Sequence, residues 1–281
     1  MPFMPIGPCC LEGNTLPGEP AGVVEAATDG NPVARYHAMP KDGNVVDSKT
    51  ALVLFYDAFG LGIPNPKIMA DEFAEKLRIN VFVPDYIPNP PPPKSLDAIS
   101  ESYPGEYAKK SWFRTILDYG SAIVHLVPYV RGLLNGAVMP LASKACEQLK
   151  KEGYENLGAI GYCRGGSVIV HLMSKGDASL LKCGVICHPS PEGKELYEAI
   201  TLPTQWHLAS HDMRFKDPQI AELRQVVEKK SDVITEITVH PDTVHGFAAR
   251  PNLKNESAKA GFEKANEDAV AFFNKHLLSS A

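Results

Sequence analysis

The sequence predicts one α/β domain: a mainly parallel sheet with helices on both faces. Three observations carry this. Strand-like and helix-like segments alternate along the chain. The strand-like segments are continuous apolar runs, as in strands covered on both sides. A glycine-rich turn joins one of these strands directly to a helix. The 281 residues are 44% hydrophobic and 22% charged, ordinary values for a globular chain large enough to bury a core without staples. Residues 1–22, rich in Pro and Gly, read as an irregular lead-in. No repeat or linker divides the rest, so residues 23–281 read as the domain.

The elements follow in order. Residues 23–39 hold a broken strand pattern with a turn at Asp29-Gly30-Asn31-Pro32. Ala51–Tyr56 is an unalternating apolar strand ending at Asp57. Residues 66–78 place Ile68, Met69, Phe73 and Leu77 on one side of a helix, and Val81–Pro84 is a second buried strand. The prolines between Asn89 and Lys94 exclude helix and central strand, leaving a rigid loop. Residues 95–136 carry a mixed helical segment, long for one crossover, with Trp112, Phe113, Tyr119 and Tyr129; it could partly overlie a site. A helix over 137–152 ends at Gly153. The strand Leu157–Gly161 enters the turn, and Ser167–Met173 is helical. Strands at Cys183–Cys187 and Thr204–Ala209, a helix at 217–230, a strand at 233–239 and an amphipathic helix at 257–278 complete the chain.

Composition narrows the partners. With 28 basic and 33 acidic residues the net charge is −5, so a nucleic acid is not expected as partner, since phosphate binding needs a basic surplus. No stretch approaches 18 apolar residues, so no membrane span is expected. The N-terminus, MPFMPIGPCC, has neither the basic nor the apolar region of an export signal. Six cysteines, Cys9, Cys10, Cys146, Cys163, Cys183 and Cys187, are therefore expected as reduced thiols in a cytoplasmic protein. Neither a G-x-G-x-x-G nor a P-loop occurs, and no cofactor is expected. His207 and His211 have a metal-ligand spacing, but on a strand they do not share a helix face, so no metal is expected either.

The informative motif is Gly161-Tyr162-Cys163-Arg164-Gly165-Gly166. It has the G-x-S-x-G pattern of a nucleophile elbow with cysteine in the serine position. The nucleophile of such an elbow sits on a strained strand-to-helix turn, and the flanking glycines relieve the crowding. The helix beginning beyond the sulfur favours a thiolate and a developing oxyanion. Cys146, Cys183 and Cys187, in apolar surroundings, read as small core residues.

A cysteine nucleophile needs a base and a group that orients it. In the elbow's usual chain order the acid and the histidine follow later strands. Asp212 follows the strand Thr204–Ala209, and His245 follows the next one, before Gly246-Phe247. His211 is the rival on the acid loop, and His240 reads as a strand-end residue. Asp217 reads as a helix-start acid and Asp242 as a turn acid. Tyr162 and His188 are candidate wall or substrate contacts.

Together these residues resemble the dienelactone hydrolase family of α/β-hydrolases. The resemblance rests on GYCRGG at 161–166, HD at 211–212, HGF at 245–247 and Asp57-Ala58-Phe59-Gly60 after the first long strand. Cys9-Cys10-Leu11-Glu12-Gly13 and Gly18-Glu19-Pro20-Ala21-Gly22 are similar to the opening of eukaryotic, especially fungal, members. The resemblance implies a single α/β-hydrolase domain and a small-molecule ester or lactone as substrate, in a monomer or homodimer. It implies a catalytic triad with Cys163 as nucleophile, His245 as base and Asp212 as orienting acid. The backbone N–H groups of Ala58 and Arg164 would form the oxyanion hole. Asp57 would contact the resting thiol, and Arg250 would bind a substrate carboxylate. The sequence departs from the family in three places. Asp57 is shorter than the usual glutamate, Arg164 stands where an apolar residue is usual, and Arg250 comes one residue late. Arg114 is a second substrate arginine by position alone. The rival readings are thioester hydrolysis or acyl transfer on the same triad, and a non-catalytic redox or binding protein that kept the fold.

Overall fold

The computed structural model describes residues 15–92, 101–106, 111–174, 180–230 and 232–279. Cys9 and Cys10 lie outside them, as does the side chain of Arg114. One eight-stranded sheet runs through the molecule: β1 (Val23–Glu25), β2 (Arg35–Ala38), β3 (Thr50–Phe55), β4 (Asn80–Pro84), β5 (Asn156–Tyr162), β6 (Cys183–Cys187), β7 (Thr204–His211) and β8 (Thr235–Val244). Their spatial order is β1-β2-β4-β3-β5-β6-β7-β8. Six neighbouring strands, β4 to β8 with β3 among them, are parallel; β1 and β2 add an antiparallel edge. The uninterrupted apolar runs are explained by this position. Every residue of β3 and β6 is buried, because helices cover both faces.

Helices α1 (Asn65–Leu77) and α8 (Glu256–Phe273) pack on one face; α4 (Asn135–Lys151), α5 (Arg164–Ser174) and α6 (Lys194–Ala199) lie on the other. Two glycines let the layers close. A Cβ at Gly158 would lie 2.7 Å from Leu277 and 3.2 Å from Phe273, and one at Gly184 would lie 2.8 Å from both Ile169 and Met173. The remaining helices are α2 (Trp112–Leu126), α3 (Val130–Leu133) and α7 (Asp217–Glu228).

Helix α6 was not expected from the sequence, and three of the boundary differences bear on the site. Helix α5 begins at Arg164, three residues earlier than expected, so the helix starts on the residue after Cys163. β7 runs on to His211, with a register irregularity between Ala209 and His211. β8 continues to Val244, through Pro241 and Asp242. Those two residues read as a turn, but β8 is an edge strand, where a proline's missing N–H costs no ladder bond.

Candidate active site

The site forms where the carboxyl ends of β3, β5, β7 and β8 meet, the usual place for a ligand in an open parallel sheet. Cys163 follows the last residue of β5 and adopts φ 51°. A non-glycine residue in this left-handed region costs about 1–2 kcal/mol. The surroundings hold it there: its N–H donates to Cys187 O at 3.0 Å and its carbonyl accepts from Ser167 N at 3.2 Å. The flanking glycines are needed because backbone passes at contact distance. A Cβ at Gly161 would lie 2.3 Å from Gly165 O, and one at Gly165 would lie 2.0 Å from Phe55 O.

Asp212 follows β7 directly. Its Oδ1 accepts the N–H groups of Arg214 (2.7 Å) and Phe215 (3.2 Å), which fixes the carboxylate in a turn. Its Oδ2 accepts from Nδ1 of His245 at 2.8 Å, and its side chain is fully buried. His245 is the first residue past β8. Its Nε2 is buried without a conventional hydrogen bond, and the ring interacts with the Cys163 thiol. Asp212, His245 and Cys163 are thus brought together from three strand ends. The rival acids lie elsewhere: Asp217 opens α7, and Asp242 is exposed, 3.7 Å from an exposed His211. The candidate metal pair does not converge. His207 is buried against His240 and Gln205, with ring nitrogens at 3.0 and 2.9 Å from them.

The electrostatics couple the two reactive groups. Burial alone would raise the Cys163 thiol. The facing His245 charge and its contact with the sulfur, with Arg214 beyond, outweigh it and bring the thiol below its usual range. Burial would likewise lower His245, but the Cys163 thiolate and Asp212 overcome it and hold the imidazole well above its ordinary value. Opposite shifts in one contact favour a thiolate–imidazolium pair.

The cavity at Cys163 has a volume of about 430 Å³. Ala58 and Arg164 both border it, so the two expected oxyanion donors lie at the same cavity as the sulfur. Arg164 opens α5, and the leading N–H groups of a helix have no acceptor within it. Asp57 and Arg250 also border the cavity, but they hold each other. Arg250 Nε lies 2.9 Å from Asp57 Oδ2, and the guanidinium stacks on Phe59 at 4.1 Å. Asp57 Oδ1 accepts the N–H of Phe59 at 3.1 Å. The structure therefore gives Asp57 an arginine as ion-pair partner, while its charge still acts on the Cys163 thiol, in the direction that raises it. It gives Arg250 an internal carboxylate where one from substrate was expected.

Tyr162 and His188 are fully buried and are not among the residues lining the cavity. The His188 ring instead packs on His245 at 5.0 Å and Phe247 at 5.6 Å. Burial and the neighbouring His245 charge hold it well below the usual histidine value, so it is neutral. They back the site and do not face into it. Sequence reasoning missed Arg214, which lines the cavity with its guanidinium near Ser190 Oγ at 3.3 Å. A basic residue two positions past Asp212 was the available signal. It also missed Asn135, which accepts from Arg164 at 2.5 Å, and the apolar wall of Leu126, Leu133 and Leu134. Those four come from the long mixed helical segment over 95–136.

A parallel sheet carrying a left-handed residue at a strand-to-helix elbow, with an acid and a histidine on the following strand ends, is the architecture of an α/β-hydrolase. The chain belongs to the dienelactone hydrolase family, whose model matches residues 128–277, more than half its length. Among curated relatives, Hydrolase tropI of Talaromyces stipitatus is 26% identical over 280 residues, covering 99% of each chain. Hydrolase pyvD of Aspergillus violaceofuscus is 24% identical over 278 residues, again covering 99% of each. The carboxymethylenebutenolidase homolog of Homo sapiens is 23% identical over 235 residues, covering 83% of this chain and 84% of the other. Among solved structures, a dienelactone hydrolase-like promiscuous phosphotriesterase from metagenomic libraries superposes with TM-score 0.61 at 16% identity, covering 92% of this chain and all of that one. Thermogutta terrifontis esterase 2 superposes with TM-score 0.56 at 13% identity, covering 91% and 96%.

Proposed function

We propose that the protein hydrolyses a lactone or activated carboxylic ester through Cys163. The observation that carries this is the Asp212–His245–Cys163 alignment: a 2.8 Å carboxylate–imidazole bond beside a thiol whose ionisation shifts opposite to the histidine's. The names of relatives, carboxymethylenebutenolidase homolog and dienlactone hydrolase, support the substrate class.

The Cys163 thiolate attacks the carbonyl carbon, and the C=O electron pair moves to oxygen. The backbone N–H groups of Ala58 and Arg164 hold that oxyanion, each contributing about 3 kcal/mol of barrier lowering. Collapse breaks the C–O bond, and the leaving enolate or alkoxide takes the proton from His245. In a lactone the leaving oxygen stays tethered to the acyl group. Water then gives a proton to His245 and attacks the thioester. The second tetrahedral intermediate expels the thiolate, and the free acid leaves with the thiolate–imidazolium pair restored. A thiolate is a better leaving group than a poor alkoxide or an amine, so activated enol and aryl esters suit it and amides do not.

The test is turnover of enol lactones and aryl esters by Cys163→Ala and Asp212→Asn, with pH profiles. Cys163→Ala is expected to fold and lose turnover, and iodoacetamide is expected to label Cys163 faster than the other cysteines. The parent activity falls on the acid side as the thiolate is protonated. It falls on the alkaline side only above the raised His245 value, where the proton for the leaving group is lost. Asp212→Asn removes a contact that raises His245. Its alkaline limb moves down, and turnover falls by roughly the 10⁴-fold typical of a misoriented imidazole. Full activity in Cys163→Ala, or an unmoved profile in Asp212→Asn, rejects the assignment.

A further inference from the structure

The exposed apolar side chains of this molecule are concentrated on α2 and the turns after it. Trp112 is 75% exposed, Phe113 59%, Ile116 59%, Leu117 53%, Ile123 61% and Val124 70%, and Val127, Val130 and Leu134 continue the surface. Of the described α2 side chains only Asp118 and Ala122 are buried. A helix normally sets its apolar stripe against the core and its polar side against water; α2 does the reverse. Scattered exposed apolar residues need no explanation, but a contiguous patch beyond a few hundred Å² marks a contact surface.

We propose that this face is a self-association surface, through which two copies of the chain pair α2 against α2 about a two-fold axis. Area is the first argument. The exposed apolar side chains amount to on the order of 1,000 Å², against roughly 800 Å² per partner in a standard interface. Charge is the second. From Thr115 to Val130 the one Asp, Glu, Lys or Arg is Asp118, and it is buried. Within that run two identical faces meet without like-charge repulsion, which favours a two-fold contact; Arg114 and the exposed Arg131 border it. By helical spacing Arg114 falls on the same side of α2 as Ser121 and His125, the arrangement of a helix lying in a bilayer interface, so lipid is the competing occupant and vesicle binding is one arm of the test. The neighbouring α4 is bent 48° from this run and buries Val138, Ala142, Cys146 and Leu149 in the molecule, so the pair does not form a span. Position is the third argument. The same segment supplies Leu126, Leu133 and Leu134 to the active-site wall, so pairing would fix one side of the cavity in place.

The test is sedimentation of the full chain over a dilution series, beside Ile116→Glu/Ile123→Glu. These two side chains lie two turns apart on one side and are more than half exposed, so the charges do not enter the core. The parent is expected to be a dimer above about 1 µM and the double variant a monomer that melts like the parent diluted below that range, where the pair has dissociated. Val46→Glu, a change at a 68% exposed valine elsewhere, is expected to leave the dimer intact. A second readout needs no variant. Of the two tryptophans, Trp206 is buried and Trp112 is exposed in a single copy, so acrylamide quenching is expected to rise on dilution as the pair dissociates. A parent that stays monomeric, a double variant that stays dimeric, or quenching that ignores dilution overturns the proposal. So does a monomer that co-sediments with phosphatidylcholine vesicles through the same isoleucines, which would assign the face to lipid.

Discussion

Arg250 and Asp57 are each more than four-fifths buried and lie 2.9 Å apart. A buried pair adds little net stability, because desolvation offsets attraction, but removing one member strands the other charge. Arg250→Ala is therefore expected to destabilise the fold by about 3–5 kcal/mol. Asp57→Asn with Arg250→Ala is expected to recover much of that loss. If Arg250 is instead a clamp for substrate, the single variant melts like the parent and loses turnover on anionic substrates alone. Thermal melting of the two variants decides between these roles. A cost under about 1 kcal/mol for Arg250→Ala would return the residue to the surface class. The family resemblance placed both residues at the site. It did not reveal that they neutralise each other, since their partnership spans 193 positions and depends on how two loops meet.

At the scale of elements, the elbow is set by backbone packing more than by the cysteine. Gly165 and Gly166 sit side by side in α5 and read alike in the sequence, yet their surroundings differ. A Cβ at Gly165 would meet the Phe55 carbonyl at 2.0 Å, and one at Gly166 would first meet Pro189 Cβ at 3.2 Å. Gly165→Ala must push β3 and α5 apart and is expected to cost about 3 kcal/mol or more. Gly166→Ala is expected to cost less, since helix propensity favours alanine by about 1 kcal/mol against shifts of a few tenths of an ångström at Pro189 and at the carbonyls of Cys187 (3.3 Å) and Gly161 (3.4 Å). Chemical denaturation of both variants measures the difference; equal costs would mean that the strand and helix are not in contact as described. The G-x-C-x-G pattern was legible because this crowding demands glycine. The buried strands were legible because both of their faces are covered. The course of α2 and α3 was not, for a related reason. The apolar stripe of α2 faces outward, so its periodicity points away from the core, and Leu126, Leu133 and Leu134 gave no hint that they border Cys163. The end of β8 was missed because Pro241-Asp242 is turn chemistry used inside an edge strand.

For the molecule as a whole, net charge and local charge oppose each other. The chain carries −5. Its cavity is lined by Arg164, Arg214 and Arg250 against Asp57 and Glu101. Arg250 is held by Asp57, whereas Arg164 rests on the neutral amide of Asn135 and Arg214 on the Ser190 hydroxyl. An anionic ester approaching this cavity meets a diffuse repulsion and a local attraction. Five charges spread at about 20 Å repel a single anion by about 1 kcal/mol in water without salt. One guanidinium at about 4 Å attracts it by about 1–4 kcal/mol, depending on how far the wall excludes water. The local term is the larger, so the cavity is expected to favour anions despite the overall charge. Between about 0.01 and 0.5 M salt the Debye length falls from about 30 Å to under about 5 Å. Across that range kcat/KM for an aryl ester bearing a carboxylate is expected to fall about two- to fivefold, while that for its neutral analogue stays level. Arg214→Ala is expected to flatten the anionic slope. It also removes one of the charges that lowers the Cys163 thiol, so its acid limb moves to higher pH for both substrates. The two readouts separate binding from ionisation. A shifted limb with an unchanged salt slope assigns Arg214 to the thiolate alone, and a slope that rises with salt means that the overall −5 governs approach.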